Sequence, residues 1–205
     1  SEHIPSYISG KIVKIEASSL ASTVVVQTDT GDNTLYIYRY YNQGQKRVQS
    51  AWSKYELASD YIKGGHFISD KFHLIEGHHD GSSTTVADCH WILTYMKFDN
   101  TDSLTNSVDL SFNAPGSSVT DSGSDTLVAM DNDFDIRDNA ARKAKIVAFN
   151  KTDNTLYTVA DSGATNVVTL TGVNLGGNAN IVVGLKFTAS YEFSKQYIKR
   201  GSADG

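Results

Sequence analysis

The stretch that decides the fold covers residues 35–57, LYIYRYYNQGQKRVQSAWSKYEL. Its first six residues are aromatic or aliphatic apart from one arginine, and such side chains suit a pleated, half-buried surface. Asn42-Gln43-Gly44 has turn chemistry, because glycine adopts positive φ without strain and asparagine nearly so. An extended pattern then resumes at residues 48–52. Two extended runs joined by a short loop that contains glycine predict a β-hairpin.

Short strand patterns recur along the rest of the chain. The first 80 residues hold about six of them at roughly ten-residue spacing, which is typical of a sandwich, a barrel or a propeller. Further strand patterns cover 91–98, 108–112 and 126–130, and the last pattern, 181–193, predicts one long strand. No long amphipathic helix pattern is visible. The sequence therefore predicts an all-β fold.

A polar, glycine-rich segment at residues 77–85 predicts a boundary between two parts of the chain. We expect the first part to cover residues 1–79 and the second part to cover residues 80–205. The second part has the strand spacing of a β-sandwich or a small barrel.

Composition excludes several classes of protein. The chain has 205 residues and a net charge of -5, which argues against broad attraction to DNA or to anionic lipid. A channel wall that DNA only passes through needs no basic surface, so the acidic charge does not exclude a DNA conduit as the function. The single cysteine, Cys89, permits no intramolecular disulfide. No apolar run approaches the roughly 20 residues of a membrane helix, so we expect no membrane anchor.

Candidate metal ligands fall in two groups. Five of the six histidines, namely His66, His73, His78, His79 and His90, and Cys89 show no zinc-type spacing. A solvated loop around His78-His79 is the simpler interpretation. The alternating acids could offer oxygen ligands to calcium, but an EF-hand would need glycine and glutamate where Ile136 and Arg142 stand. These calcium candidates are Asp131, Asp133, Asp135 and Asp138.

Catalytic signatures are missing from the sequence. There is no GxSxG, no P-loop and no histidine placed against Cys89 as a nucleophile pair. We therefore predict that the chain is not an enzyme and has no cofactor.

Two blocks of the sequence have a recognisable form. The first block covers residues 33–53, and its most specific part is Val48-Gln49-Ser50-Ala51-Trp52 after a tyrosine-rich strand. The second block covers residues 183–199 and has the form VGxxFxxxYEFSxxxxK. Together they resemble tail tubular protein B, the nozzle protein family of short-tailed, podovirus-type phages. Residues 80–145 carry little of the resemblance.

The resemblance implies a structural protein of the virion tail. In that family residues 1–79 would be partial β-propeller blades, and this chain would be an internal piece of a longer protein. Six copies would form a ring that contacts an adaptor protein and tail fibres, and phage DNA would pass through its lumen without sequence-specific binding. We expect packing or subunit contacts at Tyr36, Tyr38, Arg47, Gln49, Trp52, Tyr191 and Phe193.

The alternative is a carbohydrate-binding β-sandwich module, made calcium-dependent by the acids of residues 131–138. The aromatic side chains around Trp52 would then stack on sugars. Cross-strand aromatic pairing is the simpler explanation of the same residues. A hydrolase that acts on the cell envelope is a third class, which the missing catalytic signatures disfavour.

Overall fold

The computed structural model describes residues 8–79, 85–98, 109–114, 116–130, 143–161, 166–177 and 179–193. Nearly all the regular structure of these residues is β-strand, with single-turn 3-10 helices at Val86–Asp88 and Gly116–Ser118. The all-β prediction is confirmed. The strands are β1 (Ile12–Ser18), β2 (Thr23–Thr28), β3 (Thr34–Gln43), β4 (Lys46–Glu56), β5 (Tyr61–Ile68), β6 (Lys71–His79), β7 (Cys89–Lys97), β8 (Asp109–Ala114), β9 (Val119–Ser122), β10 (Asp125–Ala129), β11 (Ile146–Asn150), β12 (Leu156–Asp161), β13 (Val167–Leu170), β14 (Ile181–Leu185) and β15 (Thr188–Phe193).

The described strands form three antiparallel sheets. A five-stranded sheet has the order β1-β2-β3-β4-β15, and a three-stranded sheet has the order β5-β6-β7. A seven-stranded sheet has the order β8-β14-β11-β12-β13-β10-β9. None of the three closes on itself. The propeller and sandwich assignments stay predictions.

The predicted hairpin is β3–β4. Its strands pair from Thr34 opposite Glu56 to Gln43 opposite Lys46, and the chain turns at Gly44, whose φ is +60°. The turn begins two residues later than the sequence pattern indicated, because Asn42 and Gln43 still belong to β3. A strand continues through polar residues when a partner strand accepts its backbone hydrogen bonds.

The first core lies between the five-stranded and three-stranded sheets. Leu35 and Ile37 of β3 contribute to it from one side, and Phe72 and Leu74 of β6 from the other. Each pair is two residues apart, as expected for side chains on the same face of a strand. Full burial of a side chain of this size stabilises a fold by about 1.5–3 kcal/mol.

The second core belongs to the seven-stranded sheet. All five residues of β11 and all five of β14 are buried, and these strands lie side by side in the sheet. Apart from Asn150, their sequences, IVAFN and IVVGL, are continuously apolar rather than alternating, as in strands covered on both faces. Val128, Val168 and Leu170 extend the core across the sheet.

The prediction of one long strand over residues 181–193 is wrong. β14 ends at Leu185, and β15 starts at Thr188 in a different sheet, where it pairs with β4. Between them the Lys186 N–H donates to the Lys145 carbonyl at 2.9 Å. Apolar periodicity cannot locate such a break, because an extended chain keeps a strand-like pattern when it leaves one sheet for another.

Strand pairing crosses the predicted boundary at residues 79 and 80 twice. β7 pairs with β6 along its whole length, and β15 pairs with β4. The division into residues 1–79 and 80–205 stays a prediction. The two apolar clusters do fall into an earlier and a later region of the chain, apart from Ala58, which joins the later one.

Candidate functional site

The β3–β4 hairpin extends beyond the strands that flank it. β2 pairs with β3 as far as Arg39, and β15 pairs with β4 as far as Ala51. The hairpin ladder continues from there to Gln43 opposite Lys46. Within the described part of the chain, residues 41–49 therefore form a two-stranded arm whose strands pair only with each other.

The arm is exposed and basic. Residues 41–46, 48 and 49 are exposed, including the apolar side chains of Tyr41 and Val48. Residues 41–49 contain Lys46 and Arg47 and no acid, although the whole chain has a net charge of -5. Two of the predicted contact residues, Arg47 and Gln49, lie on β4 within this arm, opposite Asn42 and Tyr41 respectively.

An aromatic cluster lies at the base of the arm. The Tyr38 ring is 5.0 Å from the Trp52 ring on the opposite strand and 6.1 Å from the Tyr40 ring. Tyr36, on the same face by strand alternation, is buried, and its hydroxyl accepts a hydrogen bond from the Ser9 N–H at 3.1 Å. Aromatic pairs of this kind contribute about 0.5–1.5 kcal/mol beyond their burial. The cluster holds the hairpin together, and a role in subunit contact stays a prediction.

The two remaining predicted contact residues lie on β15. Tyr191 is the register partner of Ser53, and Phe193 is the partner of Ala51. The structure thus brings this family-like block next to the hairpin block, although about 130 residues of chain separate them. Their role as packing or contact residues stays a prediction.

The prediction that His78 and His79 lie in a solvated loop is wrong. Both belong to β6 and are buried, with exposed fractions of 2% and 7%. His79 Nδ1 lies 3.5 Å from the Cys89 sulfur, so the expectation that no histidine is placed against Cys89 is also wrong. The Tyr61 ring meets the imidazole edge-on, with the two ring centres 5.3 Å apart. The polar residues remain in the strand because β7 supplies backbone partners as far as Cys89 opposite His79.

The described residues around these histidines do not supply a set of metal ligands. Among the described residues, no group of three or more histidine, cysteine, aspartate or glutamate side chains could hold a metal ion. The calcium candidates at residues 131–138 lie outside the described residues. That hypothesis therefore stays a prediction.

A cavity of about 240 Å³ lies where the end of β4 meets the β14–β15 connection. Glu56, Lys145 and Lys186 contribute its charged side chains, and no histidine or cysteine lines it. Glu56 already forms an ion pair with Lys54. The cavity is polar and open to solvent, and it lies where two sheets meet. Its lining offers no imidazole or thiol for nucleophilic catalysis.

The outer surface of the three-stranded sheet was missed by sequence reasoning. In β7, Trp91, Leu93 and Tyr95 are exposed, whereas Ile92, Thr94 and Met96 are half-buried. The alternation was visible in the sequence. It did not show that the face with the larger apolar side chains points outward, because only the neighbouring strands decide which face is covered.

The described residues thus define a β-sheet scaffold with a projecting basic arm and an exposed apolar face. These are features of a structural protein that works through its contacts. The family model for the bacteriophage nozzle protein matches residues 1–205, and the chain belongs to that family.

This membership confirms the resemblance noted in the two sequence blocks and places the protein in the tail of the phage virion. No curated protein matches the chain. In the described part of the chain, no helix is long and apolar enough to cross a membrane.

Proposed function

We propose that this chain forms part of the tubular tail nozzle that conducts phage DNA during ejection. The observation that carries the proposal is the nozzle family match, which covers all 205 residues. Six copies form a closed ring through heterologous contacts, since repeated head-to-tail contacts close into a ring when their rotation permits. The ring contacts the tail adaptor protein on one side and the tail fibres around it.

The chemistry of the chain supports a conduit more than a DNA-binding protein. Its net charge of -5 repels the phosphate backbone at long range, so DNA can pass without being retained. The antiparallel sheets suit mechanical work, because each strand is held along its length by backbone hydrogen bonds to its neighbours.

The arm at residues 41–49 supports assembly. Among the described strands no partner pairs with the outer edges of the arm, and such edges can pair with another chain or pack against one. Tyrosine and arginine, which are enriched at protein interfaces, both occur in it.

Cryo-electron microscopy of the intact virion tests this function. We expect the sheets described above to fit density that forms a closed ring around the tail axis, with duplex DNA or an open channel at its centre. Density for the chain that is remote from the axis, or present as single copies on the outside of the tail, would contradict the proposal.

A further inference from the structure

The feature behind this inference is the contact between Cys89 and His79 at one end of the three-stranded sheet. The two residues are register partners on β7 and β6, so their side chains leave the sheet on the same face. His79 Nδ1 lies 3.5 Å from the Cys89 sulfur, which is within hydrogen-bond reach of a sulfur atom. A thiol next to an imidazole is the arrangement that activates a cysteine as a nucleophile.

The imidazole is held in place by its surroundings. His79 is buried, and the Tyr61 ring packs edge-on against it. The His79 backbone N–H donates to the Asp60 carboxylate at 2.9 Å, and the Asp60 N–H donates to the Gly77 carbonyl at 3.0 Å. These contacts keep Nδ1 beside the sulfur, and a group that is already oriented reacts without first losing rotational freedom.

The thiol, in contrast, is partly open to solvent. Cys89 is half-buried, and its neighbour His90 is exposed. The residues before Cys89 form the single-turn 3-10 helix Val86–Asp88, which buries none of its residues. Structural cysteines are buried and inert, whereas reactive cysteines are partly exposed. Cys89 therefore has the exposure that a small reagent requires.

The thiol lies near two hydrogen-bond acceptors of different chemistry. The Thr85 carbonyl oxygen is 3.8 Å from the sulfur, and His79 Nδ1 is closer at 3.5 Å. A carbonyl oxygen accepts a hydrogen bond but does not take up the proton, whereas a neutral imidazole nitrogen can do both. His79 is therefore the base of the pair.

A thiolate at Cys89 would depend on His79 for a compensating positive charge. The charged residues joined to the pair by sequence or by hydrogen bonding are acids, because Asp88 precedes Cys89 and Asp60 accepts the His79 N–H. His90 adjoins Cys89 in the strand, so its side chain points to the opposite face of the sheet. Once His79 has taken the thiol proton, its Nδ1–H faces the sulfur as a charged donor.

We propose that Cys89, activated by His79, is a site of covalent modification by low-molecular-weight disulfides. The thiol proton passes to His79 Nδ1, and the thiolate attacks one sulfur of the incoming disulfide. A sulfur–sulfur bond forms between Cys89 and that sulfur as the original sulfur–sulfur bond breaks. The second sulfur leaves with the bonding electrons and takes the proton from His79, so the disulfide is the oxidant and half of it is released as a thiol.

The reaction stops at the mixed disulfide. The sequence contains no second cysteine that could displace the added group, so an external thiol is needed to remove it. The modification is reversible and adds one group per chain, which is compatible with a structural protein. The added group lies at the start of β7, whose outer edge pairs with no described strand.

The reaction of the purified chain with dipyridyl disulfide tests the proposal, because the released thione is followed by its absorbance. The control Cys89→Ser/Ser50→Cys carries its single cysteine at a half-buried position of β4, opposite Tyr40. His79→Gln removes the base, and His90→Gln is the matched control at the neighbouring histidine. Circular dichroism verifies that each variant keeps the β-sheet spectrum of the parent.

We expect the parent to react at about pH 6 at least about tenfold faster than the Ser50→Cys control, because an ordinary thiol ionises only around pH 8.5. His79→Gln should lower the rate to that of this control, and His90→Gln should leave it unchanged. Mass spectrometry after treatment with glutathione disulfide should find one adduct, at Cys89, that a reducing agent removes.

Two outcomes would overturn the proposal. Equal rates for the parent and the Ser50→Cys control at every pH would show that the contact is only structural, and this comparison does not require His79→Gln to fold. A folded His79→Gln chain that keeps the fast rate would exclude His79 as the base. Neither outcome bears on the nozzle function, which the virion density tests separately.

Discussion

Two glycines of the three-stranded sheet lie under aromatic rings that leave no room for a side chain. A Cβ at Gly65 would be 2.3 Å from the Phe72 ring and 2.8 Å from the His73 carbonyl oxygen. A Cβ at Gly77 would be 2.8 Å from the Trp91 ring. The rings can therefore pack flat against the sheet. A side chain added at Gly65 would meet the backbone carbonyl of His73, which moves less easily than a side chain. A side chain added at Gly77 would meet only the Trp91 ring, so the structure can accommodate it more easily there.

Replacing Gly65 with alanine should destabilise the fold by about 1–3 kcal/mol, the usual cost of forcing an extra group into a packed site. Gly177→Ala is the matched control, because a Cβ there has its nearest neighbour at 4.0 Å. Urea unfolding followed by circular dichroism measures the change in free energy. Equal midpoints for the two variants would show that the Phe72 ring moves aside without cost.

At the scale of the element, the β3–β4 hairpin divides into a base and an arm. The base is held by the Tyr38–Trp52 contact and by pairing to β2 and β15. The arm, residues 41–49, has strand pairing only within itself among the described strands. The base of β3 and β4 is thus part of the five-stranded sheet, whereas the arm of the same two strands extends beyond that sheet.

Replacing residues 41–49 with Asn-Gly should change the free energy of unfolding by less than about 1 kcal/mol, because exposed residues remote from the core contribute little. The shortened chain should lose association if the arm contributes to assembly. Thermal unfolding and sedimentation measure the two effects on the same sample. A loss of stability above about 2 kcal/mol would mean that the arm contributes to the fold itself.

At the scale of the whole molecule, β15, the last described strand, pairs with β4 in the first third of the chain. It leaves the seven-stranded sheet after β14 and adds to the five-stranded sheet beside β4. The Phe187 ring, in the connection, lies 5.4 Å from the Tyr55 ring of β4. This topology makes the two cores parts of one connected structure.

Ending the chain after Phe187 should expose the β4 edge and remove six register pairs. We expect a loss of at least about 2 kcal/mol, which for a chain of this size lowers the melting temperature by about 4–8 °C, with added aggregation at the open edge. A chain that ends after Phe193 keeps β15 and is the control. Scanning calorimetry compares the melting temperatures of the two chains. Equal melting temperatures would show that the pairing of β15 with β4 does not contribute to the stability of the fold.

The sequence pattern predicted the secondary structure correctly where neighbouring residues determine it. The β3–β4 hairpin and most strands followed from side-chain type, alternation and glycine-containing turns. The buried histidines of β6 did not, because polarity suggested a loop, and only the pairing of His78 and His79 with β7 keeps them in a strand. The outer surface of the three-stranded sheet was missed for a related reason, since alternation defines two faces without saying which one is covered.

The sequence by itself determined the all-β class and, through two family-like blocks, the nozzle family. The fold class and the family can both be recognised from short segments, because turn residues and the alternation of apolar and polar side chains are properties of neighbouring residues. Only the tertiary structure decided that β15 pairs with β4, that the arm projects beyond its neighbours, and that the larger apolar face of β7 points outward. These features depend on which distant strands meet, and a side-chain period of two is the same for every possible partner.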